Sequence, residues 1–188
     1  MINVWKKAIP VVIISFFLLS PWCSPQKSTP PKDEKKVEGK GNPPVVSWLK
    51  YDEGLKLAKK ENKKVMTFFY TDWCGYCKKM LSYTFTDQEV KKLLGEKFVS
   101  IKVNGESRNK ISVNKKEMTE KELTSGFVAS GFPTTWFFES NGDKISPMVG
   151  FMKAEDFINV LSYVAGDWYK KISFQDYLSK KNELGKKK

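Results

Sequence analysis

Hydrophobic and polar positions fall into three regimes along the chain. Ala8–Leu19 (AIPVVIISFFLL) is an unbroken run of apolar and small residues that follows Lys6 and Lys7. From Ser24 to Pro44 the composition turns to Pro, Lys, Glu, Gly and Ser with one Val, which cannot bury enough surface to offset the entropy of ordering. This stretch reads as a tether, and no fixed structure is expected before about Val45. Beyond it, helical and strand patterns alternate as far as Val164.

Within that third regime, Trp48–Asn62 has Leu55 and Ala58 at helical spacing and lysines near its C-terminal end, where they suit the helix dipole. It predicts a helix. Val65–Tyr70 (VMTFFY) is too short and too apolar for anything but a buried parallel strand. A helix is expected from near Cys74 through Leu81, and a short one over Asp87–Leu94 with Asp87 as its cap. Phe98–Val103 reads as the next strand. Thr119 and Glu122 match a capping box that opens a helix towards Phe127. Strands at Thr134–Glu139 and Lys144–Gly150 flank Asn141-Gly142, a strong hairpin signal, and Ala154–Val164 places Phe157, Val160, Leu161 and Val164 on one helical face. The order βαβ, helix, antiparallel hairpin, helix predicts an α/β sandwich with a mixed sheet. After Gly166, residues Ser173–Leu178 could add an amphipathic turn or two before the closing Lys186-Lys187-Lys188.

The N-terminal run carries an export signature, a basic start followed by an apolar stretch. Twelve residues span about 18 Å as a helix, short of the ~30 Å hydrocarbon core, which favours a cleaved signal over a stable membrane helix. Cys23 stands directly after it, and its setting resembles the lipid-modified cysteine of bacterial lipoproteins, although Trp22 departs from that pattern. Lipid attachment at Cys23, a soluble cleaved form and an uncleaved anchor all stay open. The expected organisation is a signal or anchor over 1–22, a tether over 23–44, a folded domain over 45–166 and a short helical basic tail over 167–188.

The full chain has 188 residues and a formal charge of +12. Residues 1–40 hold seven Lys and three acidic residues, and residues 170–188 hold seven Lys and two, so most of the excess sits at the ends. Arg108 is the only arginine, which leaves the chain nearly without the bidentate fork that reads guanine or clamps phosphate. A nucleic-acid partner is therefore not expected. Histidine is absent, which closes off Cys-His and Ser-His catalysis.

The chemistry-bearing residues are Trp73-Cys74-Gly75-Tyr76-Cys77, where a strand should end and a helix begin. Unpaired N–H groups and the dipole at a helix start favour a thiolate on Cys74, and such sites bring a thiol from ~8.5 into the range ~3.5–7.5. At pH 7 a pKa of about 8.5 leaves roughly 3% thiolate, whereas one of about 6.5 leaves about three quarters. Cys77, one turn on, can reach back to close a small disulfide ring. With three cysteines and no His the chain cannot supply four zinc ligands, and Lys78 stands where haem attachment needs His. A purely structural disulfide stays open, but a strand-to-helix Cys-x-x-Cys in an exported chain is usually a redox pair. No metal and no cofactor is called for.

Residues from about Val46 to Val164, including FFYTDWCGYCKKM, GFPTTWFF and the Asn141-Gly142 hairpin, resemble the thioredoxin-like superfamily, particularly its bacterial exported members. The resemblance implies a thioredoxin fold, a three-layer α/β sandwich around a central mixed sheet. It implies a cis Phe132-Pro133 bond in a loop, with Thr134, that faces the cysteines and binds the substrate strand. It also implies that Cys74 is the exposed attacking cysteine and Cys77 the buried resolving one, with Trp73 shielding the pair and packing beneath it and with Gly75-Tyr76 as the inner dipeptide. That dipeptide is similar to the one in bacterial disulfide isomerases. Without His inside the motif one source of oxidising strength is missing, and no dimerisation domain is in view, so reductase is favoured over isomerase and a monomer is expected. The implied partners are disulfide-containing envelope proteins and a membrane electron donor, with membrane contact through the N-terminus alone. A tethered binding or chaperone module without redox turnover is the rival reading. In two places the chain departs from the family: Phe68 occupies the position of the buried aspartate, leaving Asp72, Glu106 or water to move the proton, and Asn104–Met118 is longer than the usual loop and reads as a surface insertion.

Overall fold

The computed structural model describes residues 45–186, apart from residues 114, 115 and 129. The expected signal, the tether, Cys23 and the last two lysines lie outside the described residues.

The chain builds a five-stranded mixed sheet in the order β1-β3-β2-β6-β7. Strands β1 (Trp48–Leu49), β3 (Phe98–Asn104) and β2 (Lys64–Tyr70) run parallel, β6 (Thr134–Phe138) adds antiparallel to β2, and β7 (Lys144–Val149) adds antiparallel to β6. The βαβ unit and the terminal hairpin stand where the apolar patterns place them. β2 is buried on both faces because its side chains alternate: Met66 and Phe68 enter one core and Val65 and Phe69 the other. The first core is closed by α3 (Gln88–Lys97) and α5 (Ala154–Ala165), and the second by α1 (Tyr51–Glu61) and α4 (Glu120–Ser125). Three layers result, as the resemblance implies.

The expected helix starts are made by the expected side chains. Asp87 accepts from the N–H groups of Glu89 and Val90, at 2.9 and 3.0 Å. Thr119 and Glu122 form the reciprocal capping box that heads α4. Four expectations need correction. Trp48 and Leu49 are a strand, because Lys50 is extended and α1 opens only at Tyr51, with Asp52 and Glu53 at its positive end. The expected surface insertion holds a second hairpin, β4 (Lys110–Val113) with β5 (Lys116–Thr119), anchored by the buried Ile111. Asn141-Gly142 turns within a wider connection closed by the Glu139 N–H donating to the Asp143 carbonyl, with a register shift between Phe137 and Phe138. The C-terminal segment is a full helix, α6 (Phe174–Lys186), rather than a turn or two.

That C-terminal extension is fastened at several points, among them the bond from Lys181 to the Asn159 side chain at 2.6 Å. Tyr163 of α5 donates to the Ile172 carbonyl at 2.7 Å and packs against Phe174 and Tyr177. At the start of β2, Lys64 reaches Glu139 and Asp167, both at 2.9 Å, and Lys170 binds the same two carboxylates at 2.8 and 2.9 Å. Burial opposes ionisation of Glu139, but hydrogen bonds from Lys170, Tyr169 and Lys64 outweigh it and bring its carboxyl down to about 2. Bonds from Lys170 and Lys64 likewise hold Asp167 well below the usual carboxylate range. This network lies at the end of β2 opposite the cysteines.

Candidate active site

β2 ends at Tyr70, and a short turn carries the chain into α2 (Gly75–Lys79). The turn is fixed by the Cys74 N–H donating to the Thr71 carbonyl at 3.2 Å. Cys74 is the N-cap of α2, and its sulfur accepts from the Cys77 N–H at 3.1 Å. One of the unpaired donors of a helix start is thereby directed at sulfur. Cys74 and Cys77 are joined as a disulfide with their Cα atoms 5.2 Å apart. The helix does not stop at Lys79 but continues into one π turn, Met80–Thr84, closed by the Phe85 N–H on the Met80 carbonyl. Thr84 donates to the Met152 carbonyl at 2.6 Å and ties this turn to the loop before α5.

The exposed partner of the pair is less exposed than the resemblance implies. Cys74 shows 5% of its surface and Cys77 none, so the small accessible area belongs to Cys74. Trp73 departs further. It does not pack beneath the disulfide, because the turn from Thr71 directs it outward and leaves it 66% exposed. The space beneath is filled instead by Phe68, Met80, Phe85 and Phe157. Trp73 stands edge-on to Phe132, with ring centroids 6.2 Å apart.

Phe132-Pro133 is a cis peptide bond. Gly131 before it has φ +114°, a conformation that side-chain-bearing residues avoid. Thr134 fixes the loop by donating to the Gly131 carbonyl at 2.7 Å, and the Gly150 N–H donates to the Pro133 carbonyl at 2.8 Å. The structure thus brings Phe132 to Trp73, the residue before Cys74. It also adds a residue that the sequence pattern does not single out. Tyr76, 64% exposed, lies 6.2 Å from Phe151, whose ring carries Lys79 Nζ 5.0 Å above it. Phe151 lies in an irregular segment, where no periodicity marks it.

The position of the absent aspartate is filled by aromatic packing. Phe68 is fully buried, with Phe85 edge-on at 5.0 Å and Tyr70 stacked at 6.1 Å. Asp72 is held at the surface by the Asn104 side-chain amide at 2.9 Å. Glu120 is the one buried carboxylate among the described residues, and it belongs to α4, whose Leu123 lies in the other core. Burial, followed by the charges of Asp72 and Glu120, pushes the Tyr70 phenol up. Among the described residues no group of His, Cys, Asp and Glu could hold a metal ion, and no helix is long and apolar enough to cross a membrane.

Residues 51–165 match the family model of the thioredoxin-like domain. The thiol:disulfide interchange protein DsbD of Actinobacillus pleuropneumoniae serotype 5b is 35% identical over 109 residues, which are 57% of this chain and 17% of that protein. The chain therefore spans about a sixth of the length of this curated relative. A thioredoxin-fold protein from Helicobacter pylori superposes with a TM-score of 0.56 at 20% identity, over 66% of this chain and 87% of its own. A thioredoxin from Thermus thermophilus gives 0.53 at 24% identity, over 64% and 87%. At those identities the two structures speak for the fold.

Proposed function

This chain belongs to the thioredoxin-like domain family, and from that premise we propose that it is an exported thiol-disulfide oxidoreductase that reduces disulfides of envelope proteins. The observation that carries the reading is the Cys77 N–H aimed at the Cys74 sulfur at the head of α2. Once the pair is reduced, the same N–H favours the thiolate, because a hydrogen bond to the charged form lowers its free energy.

In the proposed cycle the Cys74 thiolate attacks one sulfur of a substrate disulfide. A mixed disulfide forms and the first substrate sulfur leaves as a thiolate that takes up a proton. Cys77, deprotonated, then attacks the Cys74 sulfur, which closes the Cys74–Cys77 disulfide and releases the second substrate thiol. The substrate gains two electrons and two protons, and a dithiol electron donor at the membrane restores the pair. Phe132, Pro133 and Thr134 form the loop against which the substrate chain lies, flanked by Trp73 and Tyr76. Gly75-Tyr76 without histidine favours reduction over strong oxidation. The signal or anchor over 1–22, with lipid attachment at Cys23 as one form of it, would hold a monomeric domain at the cell envelope.

Insulin reduction with dithiothreitol as electron source tests the reading. The chain is expected to accelerate precipitation of the insulin B chain well above the rate with dithiothreitol alone, and Cys74→Ser to return it to that background. A chain no faster than background and indifferent to Cys74→Ser would instead be a thioredoxin-fold binding module.

A further inference from the structure

We propose that Gly105 is a positioning residue for substrate capture, acting through Phe132. The proposal rests on the reductase reading above. Gly105 follows the last residue of β3, and no left-handed backbone requires glycine there. Close approach does. A Cβ added at Gly105 would lie 2.5 Å from Cζ and 2.9 Å from Cε1 of Phe132, and 3.1 Å from the Thr124 methyl. Non-bonded carbons rest at about 3.5–4.0 Å, so the ring would have to shift by about 1 Å.

Nothing else around the contact can yield so readily. The Gly105 N–H donates to the Tyr70 carbonyl at 2.8 Å, and Asn104 beside it holds Asp72. Both bonds tie Gly105 to the segment that delivers Cys74. Thr124 is buried and donates to the Glu120 carbonyl at 2.8 Å, which fixes its methyl. Phe132 is the half-buried member, and it occupies the step between Gly105 and Trp73. Trp73 has no other aromatic neighbour among the described residues. Gly105 therefore sets where Phe132 rests, and Phe132 sets both the stance of Trp73 and the course of the main chain into Pro133. A polypeptide disulfide must lie along that loop, whereas a small aromatic disulfide needs only the sulfur of Cys74.

The test compares turnover of insulin, with dithiothreitol as electron source, with a single turnover of the pre-reduced full chain on 5,5′-dithiobis(2-nitrobenzoate). Gly105→Ala is expected to raise KM for insulin about tenfold, inside the ~10²-fold that a 1 Å misplacement can cost. The kcat for insulin and the rate with the small disulfide should stay within about twofold of the unaltered chain. Leucine lacks Cε1 and Cζ, so in a Phe132→Leu background Gly105→Ala should change KM by less than about twofold. An unchanged KM, an equal loss on both disulfides, or the same tenfold loss in the Phe132→Leu background overturns the assignment. Should Gly105→Ala fail to fold, the double substitution decides: folding with the KM of Phe132→Leu supports it, and failure to fold overturns it. If the unaltered chain does not reduce insulin, the reductase reading fails; if it does and Gly105→Ala matches it, only this assignment fails.

Discussion

Cys77→Ser is expected to accumulate on its substrates as a covalent adduct, while Cys74→Ser captures them only at background level. The two cysteines occupy unequal positions, since Cys74 caps α2 and owns the small exposed area of the pair, whereas Cys77 is fully enclosed. Attack from outside can only reach Cys74, and release depends on Cys77. Removing the second thiol leaves the mixed disulfide with no internal nucleophile. Removing the first should lower turnover by at least about 10³-fold, as loss of other enzymatic nucleophiles does. Intact-mass analysis of the Cys77→Ser chain after incubation with disulfide-containing envelope proteins should show adducts that dithiothreitol removes. Cys74→Ser retains Cys23 and Cys77, so its adducts measure the background. Equal yields from both variants would mean that the asymmetry has no part in the chemistry.

Phe68 should prove to be a structural residue, with no share in proton transfer. Its ring is fully buried among Trp48, Tyr70 and Phe85 in the core that also holds Cys77 and Phe157. Truncation to alanine is expected to cost about 3–5 kcal/mol, a loss typical of a buried phenylalanine. Against a total of about 5–15 kcal/mol for a domain, that is a large share. Phe68→Asp should cost more, because a carboxylate there meets aromatic rings and no donor. Urea denaturation measures both, and the molecules that remain folded in Phe68→Ala should reduce insulin at a rate near that of the unaltered chain. A loss under about 1 kcal/mol, or a reductase defect at full stability, would assign the ring another role.

What the sequence discloses follows the range of the interaction involved. Asp87, Thr119 and Glu122 sit within three residues of the donors they cap, and the cysteine motif is likewise local, so all were legible. The run in β2 was legible because both of its faces are buried. β1 is two residues long, too short for any period to appear. The β4–β5 hairpin hid because Ile111 alone among its described residues is buried, which leaves a polar segment resembling a loop. The outward turn of Trp73 and the contact of Gly105 with Phe132 depend on residues brought together from distant positions. No spacing announces them. The Lys64 network joins residues up to 106 apart in sequence, in β2, at the end of β6 and after α5, and is invisible for the same reason. The cis Phe132-Pro133 bond was accessible only through resemblance, since X–Pro bonds are cis in only about 5–6% of cases.

The reduction potential of the Cys74–Cys77 pair tests the central claim most directly. Equilibration with a dithiol-disulfide buffer of known potential at pH 7, read by alkylation and mass, gives the fraction reduced. A reductase should lie nearer the ~−270 mV of thioredoxin than the ~−120 mV of a strong oxidant. A value near −120 mV would contradict the proposed direction of electron flow, and a pair that never equilibrates with the buffer would contradict its redox role altogether.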